Sequence, residues 1–229
     1  MISNKLITLS ALAFTLGSVQ AASLSTTEQK ASYAIGVDLA NNLQNQGIEI
    51  QVDSFLLGLE DSLKKNELKL TNEQMAESLD AFRASLEAKQ QAEKQALAEQ
   101  NKKEGDAFLT KNKLKPGIKS LDSGLQYRII EEGKGAHPNE EDTIIAHYKG
   151  TLLDGTEFDS SYKRNAPIEF KMDNVILGWQ EALKLMKPGS KWEIFVPSEL
   201  GYGLRGAGNV IGPNQTLIFE IHFISTAAE

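Results

Sequence analysis

With 229 residues, 41% of them hydrophobic, the chain has material for one large domain or two small ones, each with its own core. A net charge of −7 argues against partners held by bulk positive charge, namely nucleic acid and anionic membrane surfaces. The complete absence of cysteine excludes disulfides, thiol chemistry, thiolate metal sites and a lipoprotein anchor.

Residues 1–21 read as a signal peptide. Lys5 precedes an apolar run from Leu6 to Leu16, and Val19-Gln20-Ala21 has the small-x-small pattern of a signal peptidase site. The apolar run is too short to span a bilayer, so cleavage after Ala21 and export are expected. The mature chain, having lost Lys5, would carry a net charge near −8.

Residues 22–71 read as helical. Ser25-Thr26-Thr27-Glu28 has the spacing of a capping box, and Tyr33, Gly36, Val37 and Ala40 then recur along one helix face that Gly47 would end. Asp53 is expected to cap a second helix, with Phe55, Leu56, Leu59 and Leu63 facing inward. Gly36 and Gly58 fall mid-helix, where glycine costs about 1 kcal/mol relative to alanine. Close packing of two backbones and simple tolerance account for them equally well.

Thr71-Asn72-Glu73-Gln74 repeats the capping-box spacing and opens a helix expected over 72–112, on the order of 60 Å long. Its first turns carry a seam of Met75, Leu79, Phe82 and Leu86. From Lys89 to Glu104 the only large apolar residue is Leu97, which predicts a solvated stalk supported by pairs such as Glu99 with Lys103. Two short helices and one seam are too little core for a stable monomer. Sharing that core predicts a homodimer through residues 23–86, the first turns of the stalk contributing.

Residues 113–229 switch to an extended pattern at Lys113-Leu114-Lys115-Pro116-Gly117. Strands are expected over 125–130, 142–153, 157–160, 168–171, 191–196 and 216–225, with one short helix over 175–183 and a glycine-rich loop over 201–213. Strands around a single helix imply an α+β fold, an antiparallel sheet wrapped over that helix. Asp154-Gly155 suits the hairpin turn between the second and third strands. Ala146, Tyr148, Gly150 and Leu152 share the inward face, opposite His147, Lys149 and Thr151. Phe158 then returns a second ring, with the carboxylate of Asp159 directly after it. Taken singly, Phe158, Trp179 and Phe219 are ordinary core residues, and Asp159 with Arg164 an ordinary salt bridge.

As an ordered set these residues say more. Tyr148, Phe158-Asp159-Ser160-Ser161, Arg164-Asn165, Val175-Ile176, Gly178-Trp179, Gly201-Tyr202-Gly203, and Thr216-Leu217 with Phe219 resemble an FKBP-type (immunophilin) peptidyl-prolyl cis–trans isomerase over about 121–226. The layout of leader, helical dimerisation region, long helix and C-terminal isomerase domain is similar to the macrophage infectivity potentiator group of Gram-negative bacteria. The resemblance implies that Phe158, Ile168, Val175, Ile176, Trp179, Ile211 and Phe219 form a proline pocket, with Trp179 as its floor. Asp159, Tyr202 and Tyr148 would carry catalysis, Arg164 would orient Asp159, and the Tyr202 hydroxyl and Ile176 N–H would bind substrate carbonyls. It further implies a periplasmic protein, with outer-membrane association or secretion as alternative addresses. Implied partners are proline-containing unfolded or nascent exported polypeptides and macrolide immunophilin ligands; no cofactor or metal is required. Two positions depart from the pattern. Ile168 replaces a frequent aromatic, and Leu204 to Asn209 lacks a His-Pro pair, which leaves substrate preference and inhibitor affinity open.

The reaction suits such residues. Rotation about an X–Pro bond breaks amide resonance against a barrier of about 18–20 kcal/mol, without making or cutting a covalent bond. The main rival reading is a non-catalytic dimeric chaperone that uses the same pocket for grip alone. A hydrolase using Glu157 and Asp159 has no more behind it than two alternate residues of one strand, and His137, His147 and His222 lack metal-ligand spacing.

Overall fold

The computed structural model describes residues 24–227, so the expected leader lies outside the described residues. The chain divides into two compact units between Ser78 and Leu79. The first holds α1 (Thr27–Asn45), α2 (Val52–Lys64) and the opening turns of α3 (Asn72–Asn112).

Helix α1 starts one residue later than the Ser25 box predicts. Thr26 is the N-cap, accepting from the Gln29 N–H at 3.2 Å while the Gln29 side chain accepts from the Thr26 N–H at 3.1 Å. Helix α2 starts at N-cap Gln51, which leaves Asp53 in the first turn, where its charge still suits the positive helix end. The box at Thr71 forms as expected, with reciprocal bonds to Gln74 at 2.9 and 3.2 Å. No residue of α1 is buried, and Tyr33, Val37, Leu56, Leu59 and Leu63 leave apolar surface in water.

The second unit contains the rest of α3 and a seven-stranded sheet whose paired neighbours are all antiparallel. Its strands are β1 (Ile118–Ser120), β2 (Gln126–Glu131), β3 (Thr143–Thr151), β4 (Glu157–Ser160), β5 (Ile168–Lys171), β6 (Lys191–Val196) and β7 (Leu217–Thr226). They run β1-β2-β6-β7-β3-β4, with β5 sharing the outer edge of β3. Thus β5 pairs the first half of β3 and β4 the last three residues. Helix α4 (Leu177–Leu185) buries Trp179, Ala182 and Leu183 against the sheet, where Ile144, Ala146, Ile194, Val196, Ile221 and Phe223 complete the core. The helix begins two residues later than its apolar run because Val175 and Ile176 are extended, following a 3-10 turn over Met172–Asn174.

The stalk expectation needs correction. Ala98, Asn101, Gly105 and Asn112 recur at helical spacing along one face of α3, and all four are buried. The Asn101 side chain donates to the Pro213 carbonyl at 2.8 Å, and Asn112 donates to Gln126 Oε1 at 3.0 Å. A Cβ on Gly105 would lie 2.2 Å from Thr216 Oγ1, so only glycine permits this approach. Phe108 adds a ring contact to Phe195 at 5.8 Å. Elsewhere Glu99 accepts from Gln95 at 3.0 Å, and Lys102 spans to Asp106 and to Glu199, the latter at 3.3 Å. This face docks through small residues and amides, which a search for large apolar side chains does not register.

Candidate functional site

The alternation along β3 places Tyr148 under the sheet and Lys149 outside it, as the two-residue period requires. Beside Tyr148 the strand has Gly150, paired with Asp159 on β4 and Phe219 on β7. A Cβ there would lie 2.5 Å from the Phe158 ring and 2.8 Å from that of Phe219. Its absence lets those two rings meet edge to face, with centroids 5.5 Å apart. Trp179 lies beneath them, 4% exposed, with edge contacts to Tyr148 and Phe219 at 5.3 Å each and to Phe170 at 5.6 Å.

These rings close one end of a cavity of about 650 Å³. Ile168 of β5, Val175 and Ile176 line one wall, while Tyr202 and Ile211 come from the glycine-rich loop. Ten of the eleven expected site residues therefore border a single cavity: Tyr148, Phe158, Asp159, Ile168, Val175, Ile176, Trp179, Tyr202, Ile211 and Phe219. The eleventh, Arg164, stands behind Asp159. The sequence reading missed Asp173 and Asn174 in the 3-10 turn, and Ala207 to Val210 in the loop. The Asp-Asn dipeptide directly before Val175 was an available turn signal for the first pair. Ala207 and Ile211 exchange backbone bonds at 2.9 and 3.1 Å, a local bridge that folds the loop back over the cavity.

One polar cluster sits at the rim. The Tyr148 hydroxyl donates to Asp159 Oδ2 and accepts from Arg164 at 2.8 Å, while Arg164 also donates to Asp159 Oδ1 at 2.5 Å. The Ser160 N–H adds a bond to Asp159 Oδ1 at 2.8 Å. Partial burial pushes the Asp159 carboxyl upward, but the bonds from Tyr148 and Arg164 outweigh it and hold the group below its ordinary value. Burial first, then the bond to Asp159, raises Tyr148. The Tyr202 hydroxyl is also raised, by burial and then by the Asp159 charge, so both phenols remain protonated donors. Tyr202 is 39% exposed and its hydroxyl has no hydrogen-bond partner among the described residues. Behind the cluster, buried Ser161 accepts from the Tyr148 N–H at 2.8 Å, pinning that backbone.

The residues present provide an apolar floor, a fixed ionised carboxylate and a free phenolic donor. The Ser161 hydroxyl meets His147 Nδ1 at 2.9 Å, but Ser161 is fully buried and neither residue lines the cavity; no group of three or more His, Asp or Glu positioned for a metal is found among the described residues. Such a site suits rearrangement of a bound apolar group better than bond cleavage.

Residues 134–224 match the FKBP-type peptidyl-prolyl cis-trans isomerase family, and residues 28–129 match the domain amino-terminal to such isomerases. The chain belongs to the FKBP-type peptidyl-prolyl cis-trans isomerases. It is 51% identical over 215 residues to the outer membrane protein MIP of Legionella longbeachae, covering 94% of this chain and 92% of that protein. It is 43% identical over 202 residues to the peptidyl-prolyl cis-trans isomerase Mip of Coxiella burnetii, covering 88% of each. The crystal structure of FkpA from Escherichia coli superposes with a TM-score of 0.76 at 35% identity, covering 89% of this chain and 98% of that one.

Proposed function

We propose that the cavity floored by Trp179 binds the proline ring of an exported polypeptide and lowers the barrier to rotation about the bond before it. The observation that carries this reading is the Tyr148–Asp159–Arg164 cluster at the mouth of a ring-lined cavity, facing the unpartnered Tyr202 hydroxyl. As the amide twists, it loses the charge separation of its planar form, and a pocket poor in water favours the twisted state relative to the planar one. Tyr202 donates to a substrate carbonyl, while Ile176, the N-cap of α4, offers an N–H outside the helical ladder for the other. Asp159 stabilises the altered dipole of the twisted amide and is held in place by Arg164 and Tyr148. Lowering the barrier by about 7 kcal/mol accelerates rotation roughly 10⁵-fold.

The test is a protease-free exchange measurement on a short X–Pro peptide, with wild type beside Tyr202→Ala. Catalysed exchange that falls in the variant supports the assignment. Wild-type exchange at the uncatalysed rate would leave a binding module that uses the cavity for grip.

The exposed apolar face of residues 24–78 supports a second element of the reading, a homodimer formed through the front-half helices. Two pockets held on one dimer would grip an unfolded client bivalently, which supports chaperone action beside catalysis. Residues 1–21 would be removed on export, leaving Ala22 as the N-terminus of a periplasmic protein. No helix among the described residues is long and apolar enough to cross a membrane. N-terminal sequencing of the fractionated protein checks the address, and an intact leader on a cytoplasmic chain would refute it.

A further inference from the structure

The loop over 201–216 has two sides. Its inner side lines the cavity with Tyr202 and with the bridge from Ala207 to Ile211. Its outer side is fastened to α3. Asn101 donates to the Pro213 carbonyl at 2.8 Å, two residues beyond Ile211, and the Asn214 side chain donates back to the Ala98 carbonyl at 3.4 Å. Asn214 is held in the left-handed region at φ +54°, and its N–H donates at 2.8 Å to the carbonyl of Gly203, the neighbour of Tyr202. A chain of hydrogen bonds thus runs from the buried amide of Asn101 to the loop exit, and from there across to the residue that follows Tyr202.

We propose that α3 fixes the outer wall of the isomerase cavity through this chain, and that Asn101 is a positioning residue for Tyr202 and Ile211. The proposal rests on reading the cavity as the site of isomerisation. Asn101 is only 9% exposed, so its amide exchanges water for one directed bond to the loop. An apolar side chain at this position would still let the helix pack through Ala98 and Gly105. It would leave the Pro213 carbonyl without its donor and the loop exit free to shift.

The same helix supplies an internal control. Asn112 is 1% exposed and donates to Gln126 Oε1 at 3.0 Å, while Gln126 returns a bond to the Leu109 carbonyl at 2.9 Å. Gln126 belongs to β2 and borders no part of the cavity. Loss of either asparagine weakens the docking of α3, but only Asn101 reaches the pocket loop.

The experiment compares full-length wild type, Asn101→Ala and Asn112→Ala in the X–Pro exchange assay, at a temperature below the melting of all three. Asn101→Ala is expected to lose about three- to tenfold in kcat/KM, the range of coupling carried by residues outside a site. Asn112→Ala is expected to stay within about twofold of wild type while its Tm falls comparably. The Tyr202 ring resonances should shift in the first variant and not in the second. Should Asn101→Ala fail to fold, Asn101→Leu removes the donor at nearly constant shape without burying a charge and carries the same expectation. Equal losses of activity in the two asparagine variants, or wild-type turnover without the Asn101 amide, would overturn the positioning role alone. An inactive wild type would instead overturn the cavity assignment.

Discussion

Asp159 illustrates how neighbours decide the state of a group at the single-residue scale. Its folded-state pKa lies below the unfolded value, so ionised Asp159 contributes stability above about pH 4 and loses that contribution as pH falls through the depressed folded value. Urea midpoints of wild type and Asp159→Asn should therefore differ at pH 7 and converge in acid. Because both phenols are raised, kcat/KM should stay flat between about pH 5 and 9. A bell-shaped profile inside that window would point to a titrating group that the site does not contain. Asp159→Leu should slow exchange about tenfold or more, equivalent to at least about 1.4 kcal/mol of barrier, with little unfolding, since Arg164 remains half in water. Trp179→Ala belongs to the other category. Deleting a buried aromatic ring costs about 3–5 kcal/mol, so it should lower both exchange rate and thermal stability. Gly150→Ala should act through geometry alone, pushing apart the Phe158 and Phe219 rings and weakening peptide binding more than folding. Comparing its KM and Tm with those of wild type checks this.

At the scale of elements, legibility followed the strength of each signal. Strands β4, β5 and β6 have the bounds read from the sequence, because each is a short alternating run closed by turn residues. The hairpin turn also formed, with Gly155 at φ +88°. Strand β1 leaves no signal in the sequence, since three residues, Ile-Lys-Ser, carry no period of their own and form a strand by pairing with β2. The apolar run of α4 begins at Val175, two residues before the helix itself, because Val175 and Ile176 continue the run while their backbone is extended. Cavity residues from Ala207 to Val210 were invisible for a different reason. A loop wall is defined by how the chain folds back, and nothing in those side chains encodes it. Helix α3 is the clearest case of a signal of the wrong kind. Its docking face is Ala98, Asn101, Gly105 and Asn112, none of which a hydrophobic pattern counts. Gly105→Val should consequently push α3 off Thr216, lowering Tm by several degrees while secondary structure persists, and circular dichroism melting would register it.

For the whole molecule, that docking changes where the isomerase half can be cut. A chain beginning after Asn112 would lose the helix face that covers Phe195, satisfies Gln126 and holds Pro213. One beginning at Leu79 keeps the entire second compact unit. The Leu79 chain should turn over short X–Pro peptides about as fast per pocket as the full protein, since one proline needs one cavity. It should also be monomeric, because the exposed apolar residues of α1 and α2 have gone with the first unit. An unfolded client is a different substrate: bivalent grip raises effective concentration, so protection against aggregation should fall sharply in the truncated chain. The chain cut after Asn112 should melt lower and lose peptide turnover as well. Light scattering, the exchange assay and an aggregation assay on all three chains separate these effects. A full-length monomer, or a Leu79 chain that protects the client equally well, would place client handling in the second unit and remove the functional case for a dimer.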